Sequence, residues 1–265
     1  MRLGYDAQIS PYPISLSIGS LRKPTLREIF DTSSGMSFEK FCYYELFLDI
    51  TPYTFYTKFK GDEGVAYWNS LEEDEQSKMN MYDVLLNDEQ LKNVYLEIFN
   101  FFFVETVIFQ EDLFILLRDN VKEQIAPANI RGVIHAGIFD SVLNILQQIC
   151  CMDDETPEED LKFKNETAKK LYEKMQKAKK KQKSGKKSNI NLSIPNIISA
   201  VSAKHQSLNY SNIWDLTIFQ LIDTFDRLQV NAMYDIEARR VSIWGDEKKT
   251  FNEELWYKNH YNSKM

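Results

Sequence analysis

Residues 88–117 read DEQLKNVYLEIFNFFFVETVIFQEDLFILL, and the two halves of this stretch carry different periods. In the first half Leu91, Val94, Tyr95, Ile98, Phe99 and Phe102 recur every three or four residues, which places them on one broad face of a helix. Asp88 stands just ahead of that run, where its carboxylate can accept from backbone N–H groups left free in a first helical turn. In the second half, residues 106–109 and 113–117 flank Gln110-Glu111-Asp112. Two short apolar runs around a polar loop suit a β-hairpin. The same residues also suit a buried helix, because periodicity does not separate the two for runs this short; the hairpin is the preferred reading. Asn100, Glu105, Glu111 and Asp112 interrupt the apolar stretch 98–117, making it too polar for a helix that spans a bilayer.

Upstream, Ile14, Leu16 and Ile18 alternate along PISLSI and predict a short strand ended by Gly19-Ser20. Thr25-x-x-Glu28 after Pro24 is a capping-box pattern opening a helix through Phe30. Ser37 starts another, with Phe38, Phe41, Cys42 and Leu46 at helical spacing and Pro52 ending it. From Tyr53 to Asn80 the pattern is weak, apart from an acidic helix start at residues 72–75. Downstream, Gly132 and Gly137 lead to a helix over about residues 139–151, with Val142, Leu143, Leu146, Ile149 and Cys150 inward.

A charged segment follows. Pro157 with Glu158, Glu159 and Asp160 behind it suits a helix N-terminus, and the lysines accumulate towards about residue 183, the polarity a helix dipole favours. Residues 160–188 hold twelve lysines against Asp160, Glu166 and Glu173, a formal +9 in a chain of net −7, which leaves −16 for the remainder. Beyond it, Pro195 opens a helix to about Lys204, residues 209–212 form a turn, and a long helix begins near Trp214. Leu216, Phe219, Leu221, Ile222, Phe225, Leu228, Met233, Ile236, Val241 and Trp244 are read as its inward positions, with Gly245-Asp246 closing it and Asn252 capping a last short helix. The expected fold is mainly α with a short N-terminal strand and a β-hairpin. It is organised as a helical lobe (1–156), a charged helical connector (157–188) and a second helical lobe (189–265).

Composition agrees with that class. Of 265 residues 43% are hydrophobic and 13% aromatic, enough to bury a core. Gly (9) and Pro (7) are too scarce for a turn-rich sandwich or barrel. The three cysteines, Cys42 and the adjacent Cys150 and Cys151, imply no disulfide framework, and MRLGYDAQIS has no signal-peptide pattern, so a reducing compartment is expected.

The residues display no catalytic constellation. The three histidines, His135, His205 and His260, form no HExxH or paired motif, and Cys150-Cys151 lacks CxxC spacing. Ser184-Gly-Lys-Lys-Ser188 echoes a phosphate loop only superficially, since Lys181 stands where the leading glycine should be. The acids at 72–75 and 153–160 are sequential runs, whereas a metal needs carboxylates converging from separate elements. No enzyme activity, metal or cofactor is expected. Lys177, Lys179, Lys180, Lys181, Lys183, Lys186 and Lys187 could neutralise phosphates, so nucleic acid is the alternative partner. They come without arginine or interleaved aromatics, and the acidic remainder would repel a duplex, so a solvated spacer or protein contact is preferred.

Two stretches carry a family resemblance. Asn212-Ile-Trp-Asp-Leu-Thr-Ile-Phe-Gln-Leu, followed by Phe225-Asp-Arg-Leu-Gln and Tyr234-Asp-Ile, resembles a stretch in structural or assembly proteins of tailed bacteriophages and phage-like particles. Ile18-Gly-Ser-Leu-Arg-Lys-Pro-Thr-Leu-Arg-Glu28 is similar to an opening in the same proteins. The resemblance implies a tail assembly chaperone or a minor tail or baseplate component, working in the host cytoplasm or in the particle. Its partners would be tape-measure, tube or baseplate proteins, with a homo-oligomer also open and no membrane. Aromatic residues dominate interface hot spots. Tyr210, Trp214, Trp244, Trp256 and Tyr257 are therefore candidate protein-binding anchors, with Arg239 and Arg240 facing solvent or an acidic partner.

Overall fold

A computed structural model describes residues 2–118, 127–152, 190–246 and 251–257. The chain divides into two units. The described part of the first is 2–118, 127–152 and 214–220; that of the second is 190–213, 221–246 and 251–257. The connector, its lysines from Lys177 to Lys187, and His260 lie outside the described residues. Both units are mainly helical, and the strands of two small sheets all fall in the first.

The first unit begins with α1 (Tyr5–Ile9), then β1 (Ile14–Leu16) and β2 (Gly19–Leu21). Gly19-Ser20 does not end the strand. It starts the second arm of a tight hairpin, in which Ile14 pairs with Leu21 and Leu16 with Gly19. Helix α2 (Leu26–Phe30) opens on the predicted capping box, and α3 (Phe38–Leu48) is capped by Ser37, whose side chain accepts from the Lys40 N–H. Pro52 starts a helix instead of ending one. Thr51 is its cap and Pro52 its first residue, where the missing N–H goes unneeded, in the short α4 (Pro52–Thr54) that runs on into a π-helical turn (Phe55–Phe59). Helices α5 (Gly61–Ser70), α6 (Glu73–Lys78) and α7 (Met81–Leu86) fill the stretch that reads weakly in sequence.

The core gathers around α8 (Glu89–Phe102), whose cap is the Asp88 carboxylate accepting from the Leu91 N–H at 2.9 Å. Leu91, Tyr95, Ile98, Phe99 and Phe102 are buried as their spacing requires. The hairpin is present: β3 (Thr106–Gln110) and β4 (Leu113–Leu117) pair antiparallel with Ile108 opposite Ile115. Its turn residues, Glu111 and Asp112, both take positive φ (52° and 59°), the conformation a two-residue hairpin loop needs. A third strand, β5 (Ile130–Ile134), adds to β4 with Gly132 opposite Leu116. Gly132 is required there because a Cβ would lie 2.3 Å from the Ile18 carbonyl oxygen. Helix α9 (Ala136–Ile149) then closes over α7 and α8, with Phe139 edge-on to both Tyr82 (5.1 Å) and Tyr95 (5.0 Å). Two buried hydroxyls tie these layers to backbone. Tyr95 Oη donates to the Phe47 carbonyl, and Tyr82 Oη lies 2.6 Å from the Asp112 carbonyl oxygen and 3.1 Å from that of Ile134. An unpaired buried hydroxyl would cost about 1–3 kcal/mol, so each of these bonds helps fix the register of its layer.

Helix α9 ends in a Schellman motif. The Met152 N–H donates to the Gln147 carbonyl and the Cys151 N–H to that of Gln148, with Cys151 at φ 55°, where glycine is usual.

In the second unit α10 (Ile194–Lys204) buries Ile197, Ile198 and Val201. The long helix α11 (Ile218–Trp244) starts four residues later than its apolar pattern suggests, because residues 213–215 form a 3-10 turn and Thr217 caps the helix proper. Gly245, at φ 76°, closes it. Its inward face is shorter than expected. Leu221 is buried, but Met233, Ile236 and Trp244 stand in solvent. Apolar residues occur on several sides of this helix, so spacing alone could not say which side would be covered.

Candidate protein-interaction surface

The two stretches that carry the resemblance meet in the first unit. Thr25 and Thr217 form an isolated antiparallel bridge, with the Leu26 N–H donating to the Leu216 carbonyl at 2.8 Å. Each threonine heads its own capping box. The Thr25 N–H donates to Glu28 Oε2 (2.8 Å) and the Glu28 N–H to Thr25 Oγ1 (3.3 Å). The Thr217 N–H donates to Gln220 Oε1 (3.0 Å) and the Gln220 N–H to Thr217 Oγ1 (3.3 Å). Two helix starts of one pattern, T-x-x-E and T-x-x-Q, are thus stitched head to head. Around them Arg27 pairs with Asp215 (2.8 Å), Trp214 meets Phe30 edge-on at 5.5 Å, and Gln220 Nε2 donates to the Ile9 carbonyl at 2.7 Å. Trp214 is therefore half-buried in this junction.

Lys23 sits beside the junction and is nearly buried. Its Nζ donates to the Ala7 carbonyl at 2.6 Å and also to that of Ser10, and burial lowers its pKa. Next to it a cavity of about 10 Å³, lined in part by Gln8, Phe41, Cys150 and Thr217, has room for roughly one water. On another side of the unit an open cleft of about 380 Å³ brings together Arg22, Glu28, Asp31, Lys40, Tyr44 and Glu97. Most of these groups satisfy one another: Arg22 pairs with Glu28 (3.3 Å), Lys40 with Glu97 (3.0 Å), and Tyr44 Oη donates to Glu97 Oε2 (3.0 Å), while Asp31 accepts from Ser33. Burial pushes the Tyr44 phenol up to about 12, so it stays a donor at neutral pH. Glu45 has a different setting: burial raises its carboxyl to about 7.

Among the described residues the two histidines serve as caps. His135 Nδ1 accepts from the Gly137 N–H (3.1 Å) at the start of α9, and His205 Nδ1 accepts from the Leu208 N–H (3.0 Å) just after α10. Among the described residues no three His, Cys, Asp or Glu side chains gather as metal ligands would. Among the same residues no helix is long and apolar enough to cross a membrane.

The second unit presents the candidate anchors. Tyr210 is exposed with its hydroxyl 3.0 Å from Ser199 Oγ, and Trp256 and Tyr257 are half-exposed neighbours with ring centroids 5.0 Å apart. Arg239 is exposed, and Arg240 pairs with Glu237 at 2.7 Å. Trp244 has company on the exposed side, including Met233 and Ile236, which spacing places inward with it. Met233 (61% exposed), Ile236 (66%), Ile243 (70%) and Trp244 (79%) share one side of α11, since positions 233, 236, 240, 243 and 244 fall within about a third of the helix circumference. Isolated exposed apolar residues are ordinary, whereas large ones gathered on one side mark an interaction surface, here two apolar pairs on either side of Arg240.

Residues 179–261, the region that holds this helix, match a family model described as the YomV second domain. That similarity points to a phage protein. No curated protein and no solved structure matches the chain.

Proposed function

We propose that this chain is a non-enzymatic phage protein that acts by protein–protein contact, as a tail assembly chaperone or a minor tail or baseplate component. The observation that carries the reading is the exposed Met233–Ile236–Ile243–Trp244 stripe, which lies inside the region similar to a phage-associated domain. Large apolar side chains displayed on a rigid helix suit helix-in-groove or helix-on-helix recognition, in which a few anchors supply most of the affinity. The mutually paired cleft and the capping histidines support a role without chemistry of its own. Such a protein would work in the host cytoplasm during assembly, or within the particle. The test is a titration of the purified chain with the tape-measure, tube and baseplate proteins encoded by the same phage. Binding to one of them, weakened by Ile236→Glu with Trp244→Glu, is the expected result. Binding to none of them would discard the reading.

The lysine-rich segment supports a second reading. Its formal +9 favours contact with phosphates. DNA affinity that falls steeply with salt would favour that role, and absent or salt-insensitive affinity would remove it.

A further inference from the structure

The three-stranded sheet has two edges, and the chain closes one of them itself. In the β3–β4 hairpin Gln110 and Leu113 flank the two-residue loop and form a hydrogen-bonded pair, and bonded and non-bonded pairs alternate from there. The Val107 N–H and C=O therefore point away from β4. Asn100 meets both: the Val107 N–H donates to Asn100 Oδ1 at 2.9 Å, and Asn100 Nδ2 donates to the Val107 carbonyl at 2.8 Å. A side-chain amide on α8 thus takes the place of a neighbouring strand. Lys92 of the same helix stands over the ring of Phe109, the next outward residue, at 5.6 Å from its centroid.

The opposite edge is β5. The same alternation carried across β4 makes Phe114–Ile134 and Leu116–Gly132 bonded pairs and Ile115–Val133 a non-bonded one. The Val133 N–H and C=O therefore point away from β4, and among the described residues no group pairs with them. Arg131 has no partner on β4, because the register steps from Leu116–Gly132 to Leu117–Ile130, and a bulge of this kind re-aims the residue it carries. Arg118 stands at the same end of the ladder, its N–H on the Asn129 carbonyl at 2.7 Å. Both arginines are exposed, and among the described residues neither makes an ion pair. In a chain of net charge −7 they form an uncommitted basic end on an open strand.

We infer that the β5 edge takes up an extended acidic segment of another protein, added as a fourth strand with its carboxylates on Arg118 and Arg131. An open N–H and C=O edge is matched best by another extended backbone, and the arginines set the charge of that backbone's side chains. A second copy of β5 would bring the same positive charge, and charge on an edge strand works against self-pairing. The surface lies in the first unit and does not depend on the exposed residues of α11.

Titration of the purified full-length chain with an acetylated, amidated heptapeptide of alternating glutamate and valine tests it, by calorimetry and by amide hydrogen exchange. Binding is expected, with exchange slowed at the Val133 N–H. The same peptide with lysine for glutamate should not bind. Nor should the glutamate peptide methylated on its backbone nitrogens, which keeps the charge and removes every donor. Arg118→Glu with Arg131→Glu should weaken the glutamate peptide about tenfold or more and turn the preference to the lysine peptide. Val133→Pro removes the outward donor, a change that edge strands tolerate, and should abolish binding while the thermal melt stays near the parent's. The methylated peptide makes the same test on the unaltered chain. No binding at millimolar peptide, equal binding of the lysine or methylated peptide, or unchanged exchange at Val133 in the bound sample would each overturn the inference. So would a Val133 N–H already protected by self-association.

Discussion

Thr25 and Thr217, separated by most of the chain, face each other across one antiparallel bridge, and each caps the helix that follows it. The bridge joins two helix N-termini whose backbone donors would otherwise look for water or go unpaired. Removing one hydroxyl therefore disturbs its own helix and the seam between them.

Thr217→Ala is expected to destabilise the protein by about 1–2 kcal/mol, the cost of a lost N-cap. Thr217 is almost completely buried, so water cannot replace its hydroxyl. Urea unfolding of Thr25→Ala, Thr217→Ala and the double variant would measure the coupling. Residues in contact should depart from additivity by about 0.5 kcal/mol or more. Strict additivity would mean that the two boxes act as separate caps.

Cys151→Gly should raise stability by about 0.5–1 kcal/mol, because glycine takes the left-handed conformation without a Cβ penalty. The φ of 55° at this residue is the reason. Cys151→Ala keeps the Cβ and should gain nothing. Thermal melts of the two variants side by side would show whether the backbone or the thiol matters.

Gly132→Ala should lower stability by about 2 kcal/mol or more, at the level of core overpacking. The added methyl would meet the Ile18 backbone, which cannot rotate out of the way as a side chain could. A melting temperature equal to the parent's would show that the β1–β2 hairpin is free to shift.

Glu45 gives a pH signature. Its carboxyl rises from the ordinary 4.5 to about 7, so the folded state binds the proton more tightly than the unfolded chain. That preference stabilises the fold fully below about 4.5 and is lost as pH rises through 7. Glu45→Gln should therefore match the parent near pH 4.5 and exceed it by about 1–3 kcal/mol at pH 8, one pKa unit being ~1.4 kcal/mol. Denaturant melts at the two pH values decide, and a gain independent of pH would assign the effect to packing.

The helix at residues 89–102 is legible because it has one covered face and a sharp period; the hairpin beside it is legible from the polar Gln110-Glu111-Asp112 between two short apolar runs, although its period alone does not exclude a helix. The caps at Thr25, Ser37 and Asp88 were legible because capping is local chemistry. Strand β5 was not. Its five residues are centred on Gly132, whose reason for being glycine is the distant Ile18. The stretch 53–80 hid its helices because its aromatics pack on each other, Tyr53 on Trp68 and Tyr56 on Tyr67, with several rings part-exposed and no single apolar stripe. The T-x-x-Q box at Thr217 is the same local chemistry as the one at Thr25, but the apolar pattern begins ahead of it, so spacing alone places the start of α11 too early. Of the candidate surface, Trp244 reads from sequence both as an anchor and, with Met233 and Ile236, as an inward position; all three are exposed, because hydrophobicity alone does not imply burial, and Ile243 joins them outside the expected pattern.

The seam at Thr25 and Thr217 also gives the chain a closed topology. Residues 214–220 belong with the first unit, while the residues on both sides of them belong with the second. The polypeptide is therefore fastened to its own beginning at a point well downstream of residues 153–189. A single peptide bond cut in that interval would leave two pieces still clasped by the Thr25–Thr217 bridge, the bond from Gln220 Nε2 to the Ile9 carbonyl and the Arg27–Asp215 pair, as a ring opened at one place stays one object. Fragments 1–152 and 190–265, expressed separately, should accordingly copurify.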